Sequence, residues 1–227
     1  MYQWDWGWVW TYREGLIEAT VVTLWFNITI LILGSLAGLL VALARRSRFK
    51  PLRVSALVYI DIFRAIPLLV LLVWAFFCIP ILSGGLQLSP TTSAVIVLSL
   101  NLSAFIAEII RSGIESIPEL HIESAKTLGF SPFQTLRFII LPIGLRNMVP
   151  PLVGQYINTI KLSVLASVIA VPELLHQTNV IIAQTYRPLE FYTILALIFL
   201  ILLLPLTIWS RRLESKSFAQ RKINSEK

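Results

Sequence analysis

The chain reads as an all-α membrane protein with five transmembrane helices. Three observations carry that reading. Of its 227 residues 56% are hydrophobic and only 14% charged, with a mean hydropathy of +0.78, a balance too apolar for a soluble domain of this length. The charge is segregated, with long runs almost free of it and basic residues clustered between them. Five of the runs reach the roughly 20 residues that an α-helix needs to cross the hydrocarbon core.

Taken in order, the spans are expected at about 19–44, 54–82, 92–110, 149–171 and 191–210. The first follows an N-terminus that lacks a basic start and carries Asp5, so it reads as a retained span and not as a cleaved signal peptide. The second is long, and Pro67 removes a backbone hydrogen bond within it, so a kink is expected there. The third ends beside Glu108 and Arg111. The fourth is the most polar, with Gln155, Asn158, Thr159, Lys161 and Ser163 in nine residues. The fifth ends at Trp209, Arg211 and Arg212, an aromatic and basic edge suited to a membrane interface. No linker or internal repeat divides the chain, so residues 1–227 are read as one membrane domain.

Basic residues set the orientation. Arg45, Arg46, Arg48, Lys50 and Arg53 follow the first span; Arg111, Lys126, Arg137 and Arg146 follow the third; Arg211, Arg212, Lys216, Arg221, Lys222 and Lys227 form the tail. The other side holds Arg13 and Arg187. The N-terminus is therefore expected outside and the C-terminus in the cytoplasm. Trp4, Trp6, Trp8 and Trp10 then lie outside, as a headgroup-level aromatic anchor in preference to a ligand-stacking site. The net charge of +7 follows from this loop pattern, and no basic-aromatic module points to nucleic acid. The single cysteine, Cys78, lies in an apolar run and has no partner for an intramolecular disulfide.

Between the third and fourth spans the chain is charged and punctuated. Ser116–Leu128 reads as a short amphipathic helix entered through Pro118, with Glu119 and Glu123 on one face. Gly129 tolerates the positive φ of a helix exit. Ser131, Pro132 and Gln134 then form the pattern of a capping box that starts a new helix. Glu123-Ser124-Ala125, Gly129, Ile139, Leu141 and Pro142 resemble the cytoplasmic signature of bacterial ABC importer permeases, E-A-A-x3-G-x9-I-x-L-P, with Ser124 in place of the first Ala. Phe63-Arg64-Ala65-Ile66-Pro67-Leu68-Leu69 and Glu108-Ile109-Ile110-Arg111-Ser112-Gly113-Ile114 are similar to two motifs of the polar amino acid branch. The resemblance covers about residues 15–212.

It implies a type I importer permease fold in the bacterial inner membrane and a set of partners. An ATPase dimer would dock at about 116–130, through Glu119, Glu123, Ser124, Ala125 and Gly129. A second permease, identical or homologous, would complete the path. An external binding protein would deliver a polar amino acid or related zwitterion, ectoine-like and opine-like compounds included. Two departures stand out. Leu120 and His121 replace the family's Gly-Gln, and Leu162 replaces an acid that the fourth span often carries, so Leu162 offers no charge to a cationic amino acid.

The intramembrane charges are costly at about 2.5–3.5 kcal/mol or more each, so each needs a partner or a task. Asp61 and Arg64 are three apart and read either as an ion pair or as gating groups; Glu108 reads as an Arg111 partner in preference to a substrate contact. Gln155, Asn158, Thr159, Lys161 and Ser163 read equally as path lining, with Lys161 meeting a carboxylate, and as interhelical hydrogen bonding. Arg64 and Glu108 join them as path candidates. The competing classes are an ion-coupled secondary transporter and a non-transporting scaffold subunit. The chain has no Walker A pattern, no metal-ligand spacing and no catalytic triad, so it is read as a permease without enzyme chemistry or cofactor, its ATPase a separate polypeptide.

Overall fold

The computed structural model describes residues 2–85 and 87–225, with side chains as far as residue 213. Lys216, Arg221, Lys222 and Lys227 of the basic tail therefore lie outside the described side chains. A short helix α1 (Gly7–Thr11) leads into α2 (Arg13–Arg45). Then come α3 (Lys50–Ala65), α4 (Leu68–Leu82), α5 (Pro90–Glu115), α6 (Glu119–Thr127) and α7 (Pro132–Thr135). A π turn at Leu136–Ile140 joins α7 to α8 (Leu141–Leu162), which tightens into a 3-10 stretch at Ser163–Ile169. Helices α9 (Leu174–Thr185) and α10 (Pro188–Ser225) complete the chain.

Among the described residues, four helical stretches are long and apolar enough to cross a membrane: Arg13–Arg45, Pro90–Glu115, Pro132–Ile169 and Pro188–Leu213. The bent pair α3 and α4 makes a fifth when counted as one span. The break falls where Pro67 was expected to act, but it is far sharper than a kink, at 104°. Proline explains why a bond is missing. Pro67 has no N–H for the Phe63 carbonyl four residues earlier, and Asn101 Nδ2 of α5 donates to that carbonyl instead, at 2.8 Å. The break is thus stabilised from the neighbouring helix.

Helix α5 is the hub. In its most apolar window 61% is buried, against 11% for α10 at the periphery. Its tightest neighbour is α2, and the sequence Gly34-Ser-Leu-Ala-Gly38 shows why. A Cβ at Gly34 would lie 2.7 Å from Leu102 Cδ2, and one at Gly38 would lie 2.7 Å from Ile106 Cβ and 3.0 Å from the Ser103 carbonyl. Small residues four apart let two membrane helices approach closely, and packing substitutes for the hydrophobic drive that lipid does not provide. Ile30, Leu72, Leu98, Leu102, Ile106, Ala166 and Val171 then close one core around α5. Gly113 does the same service for α8, where a Cβ would meet Met148 Cγ.

Between the expected fourth and fifth spans lies a helix that the sequence analysis does not include. Residues 174–185 are helix α9, packed through Leu174 and Ile181 on Leu16, Ala19 and Phe191. Glu173 caps it, accepting from the Leu175 and His176 amides at 2.9 and 2.8 Å, and Leu174 N donates to Thr23 Oγ1 at 2.9 Å. Burial pushes the Glu173 carboxyl above its usual range. At twelve residues the helix is too short to stand out as a spanning run.

Candidate functional site

Two regions collect the candidate residues. The first is the α6 segment. Its helix starts after Pro118, one turn later than the sequence suggested, because Ser116 caps the end of α5 and accepts from Asn147 Nδ2 at 2.9 Å. Its exit is a Schellman motif: Gly129 N donates to the Lys126 carbonyl and Phe130 N to the Ala125 carbonyl, both at 3.0 Å, with Gly129 at φ +78°. The next helix restarts at once through the expected capping box, Gln134 N to Ser131 Oγ at 3.3 Å and Ser131 N to Gln134 Oε1 at 2.7 Å. The turn is therefore held by backbone bonds at one edge and by side chain–backbone bonds at the other.

Within α6 only Ala125 is buried, at 1% exposure. Glu119, Glu123 and Ser124 face outward. So do large apolar side chains: Leu120 is 70% exposed, Leu128 74% and, just beyond, Phe133 67%. Leu120 and Leu128 lie outside the candidate spans, so with Glu119 and Glu123 beside them they form an apolar patch edged by carboxylates, the kind of surface that marks an interaction site. Leu120 carries part of it, and sequence reading had noted it only as a departure from a motif.

The second region is the charge cluster at the same end of the bundle. Glu108 accepts from two arginines and pairs with a third. Arg45 Nη1 reaches its Oε2 at 2.5 Å, Arg111 Nε its Oε1 at 2.9 Å with Nη2 closer still, and Arg64 Nη1 lies 3.8 Å away. The Glu108–Arg111 pair was expected; the contribution of Arg45, from the loop edge of α2, was not. The Asp61–Arg64 pair does not form. Arg64 turns instead to α5, beside Glu108 and over the Phe105 ring at 5.6 Å, and Asp61 makes no ion pair among the described residues. One carboxylate set among three guanidiniums is the stronger attraction.

The polar residues of the fourth span separate. Thr159 and Ser163 are buried at 4% and 1% exposure, and Ser163 Oγ donates to the Ile160 carbonyl at 2.9 Å. Asn158 and Lys161, three apart, are exposed, and Gln155 is half-buried. Lys161 borders an apolar groove between α8 and α10, beside Phe199 and Leu203.

A third constellation went unread in sequence. Glu190, fully buried, accepts from the Tyr2 hydroxyl and from Asp5 N at 3.0 Å, while Arg187 donates to the Gln3 carbonyl at 2.8 Å. It straps the N-terminal tryptophans to the start of α10. Trp4 and Trp6 stack at 5.3 Å and remain about half exposed. No pattern of spacing links residues 2 and 190, so nothing in the sequence signals the contact.

Comparison with known proteins bears on this arrangement. Residues 31–218 match the family described as binding-protein-dependent transport system inner membrane component. The glutamine transport system permease protein GlnP of Escherichia coli K12 is 38% identical over 214 residues, 94% of this chain and 98% of its own. The probable amino-acid ABC transporter permease protein YckA of Bacillus subtilis is 39% identical over 184 residues, 81% of this chain and 80% of its own. A solved amino acid ABC transporter crystallised with histidines superposes at a TM-score of 0.86 with 32% identity, covering 93% of this chain and 100% of that one. The methionine transporter MetNI, at 22% identity and TM-score 0.65, shares the fold. The chain belongs to the binding-protein-dependent transport family, in its amino acid ABC permease branch. It is a multi-pass inner membrane permease subunit and leaves ATP hydrolysis to a separate subunit.

Proposed function

We propose that this chain carries a polar amino acid or related zwitterion across the inner membrane, and that the α6 segment receives the ATPase. Relatives named for glutamine support the first part. The observation that carries the second is the outward surface of Glu119, Leu120, Glu123 and Leu128 on a turn fixed at Gly129. A helix presented this way enters a groove on a partner and transmits force as a rigid lever. Ala125 anchors the helix inward while Ser124 stays on its exposed face.

Two permeases, identical or homologous, flank the path in this reading, and an external binding protein delivers to the outer ends. Gln155, Asn158 and Lys161 lie on a surface that the single chain leaves open, where a second permease would close the path. Thr159 and Ser163 back them from inside, while Arg64 and Glu108 hold the cytoplasmic end together. Lys161 offers a positive charge to the substrate carboxylate.

Two experiments test these roles. Gly129→Asp places a Cβ at φ +78°, and Glu123→Arg reverses the charge of the docking face; each should lower ATPase co-purification and uptake at least tenfold. Full association and transport in both variants would remove the docking role. Lys161→Met should raise the KM for uptake of a neutral amino acid such as glutamine by about tenfold, the scale of one charge-assisted contact. Unchanged uptake kinetics would remove Lys161 from the path.

A further inference from the structure

Beside the Glu108 cluster lies a cleft of about 390 Å³ between the last turn of α2, the first turns of α3 and the end of α5. Its floor is apolar, formed by Ala42, Leu57, Ala107, Ile110 and Ile114. Its rim is charged: Arg45, Arg46, Arg53 and Arg111 against Glu115. Arg45 and Arg111 are engaged by Glu108, and Arg111 by Glu115 as well. Arg46 and Arg53 have no acidic partner among the described residues, and both are exposed. With Glu108 included, the cleft keeps two positive charges in excess, those of Arg46 and Arg53.

We infer that this cleft holds the headgroup of an anionic phospholipid of the surrounding membrane. The two halves of the cleft match the two halves of that molecule. A guanidinium offers paired N–H donors to phosphate oxygens, and Arg46 caps the end of α2 while Arg53 lies on α3, so the two can grip one phosphodiester from two sides. The floor is lined by side chains without polar atoms, which suits glycerol and the first methylenes of an acyl chain. A free phosphate or nucleotide would leave that floor wet. Basic pockets between membrane helices are recognised lipid sites on the same physical grounds. Occupancy would brace the junction of α2, α3 and α5 beside α6. The inference does not depend on the path or docking roles proposed above.

The test uses the full-length chain with its co-purifying subunits in neutral detergent, titrated with phosphatidylglycerol or phosphatidylcholine and read by native mass spectrometry. Phosphatidylglycerol should be retained at least tenfold more tightly. Each basic side chain near a lipid phosphate contributes roughly fivefold, so Arg46→Gln with Arg53→Gln should weaken binding by about 25-fold and each single variant by about fivefold. Arg48→Gln with Lys50→Gln removes the same charge from the same loop outside the cleft and should change binding less than threefold. Equal losses in both pairs would reveal diffuse attraction and overturn the site. So would indifference to headgroup. Displacement of the lipid by millimolar inorganic phosphate would assign the arginines to a free anion instead.

Discussion

At the scale of single residues, the informative side chains are those that answer for a missing partner. Pro67 deletes one backbone donor, and Asn101 replaces it for the Phe63 carbonyl at 2.8 Å. The amide does what no apolar residue can, because an unpaired carbonyl away from water costs about 1–3 kcal/mol. Asn101→Leu keeps the volume and removes the donor. It should destabilise the purified protein by about that amount, seen as a lower thermal midpoint in detergent. An unchanged midpoint would mean that water satisfies the carbonyl and that the 104° break stands without help from α5. The sequence showed the proline but not its remedy, since Asn101 lies 38 residues away and its pairing is a matter of helix packing. Glu108 teaches the same lesson. Its pair with Arg111 was legible because both lie on one helix, whereas Arg45 reaches it from another.

At the scale of elements, the legible features were those encoded locally. The Gly129 exit and the Ser131–Gln134 capping box formed as their residue types require, because both motifs close within six residues. Helix α9 was missed for the opposite reason: its twelve residues are too few for a spanning run, and its stability comes from Glu173, Thr23 and the packing of Leu174 and Ile181. The Gly34–Gly38 seam was also unread, although its spacing is a known mark of close helix approach. It supports a prediction. Gly38→Leu cannot be absorbed by a flexible neighbour, because the Ser103 carbonyl backbone sits 3.0 Å from the new Cβ. Helices α2 and α5 must separate, at a cost of about 1–3 kcal/mol or more. Gly154→Ala is the control, since nothing lies within 4 Å of a Cβ there; it should leave stability unchanged or raise it by up to about 1 kcal/mol. Equal effects of the two substitutions would deny the seam its role.

At the scale of the whole molecule, direction in the membrane governs every functional assignment. The Glu108 cluster, the arginine-rimmed cleft and α6 share one end of the bundle, and they act on a cytoplasmic ATPase only if that end faces the cytoplasm. The asymmetry of the loops argues that it does, with Arg45 through Arg53 at this end and only Arg13 and Arg187 toward the other. The lone Cys78 makes the test clean. In a Cys78→Ala background, Leu128→Cys places one thiol on the α6 exit, at a position 74% exposed, and Tyr186→Cys places one after α9, at a position 84% exposed. A membrane-impermeant maleimide added to intact spheroplasts should label the Tyr186→Cys variant and spare the Leu128→Cys variant until the membrane is opened. Equal labelling before and after opening the membrane would refute a cytoplasmic address for α6. The reverse pattern would turn the molecule over, move the tryptophan strap at Glu190 to the cytoplasm and leave the docking face with no ATPase to meet.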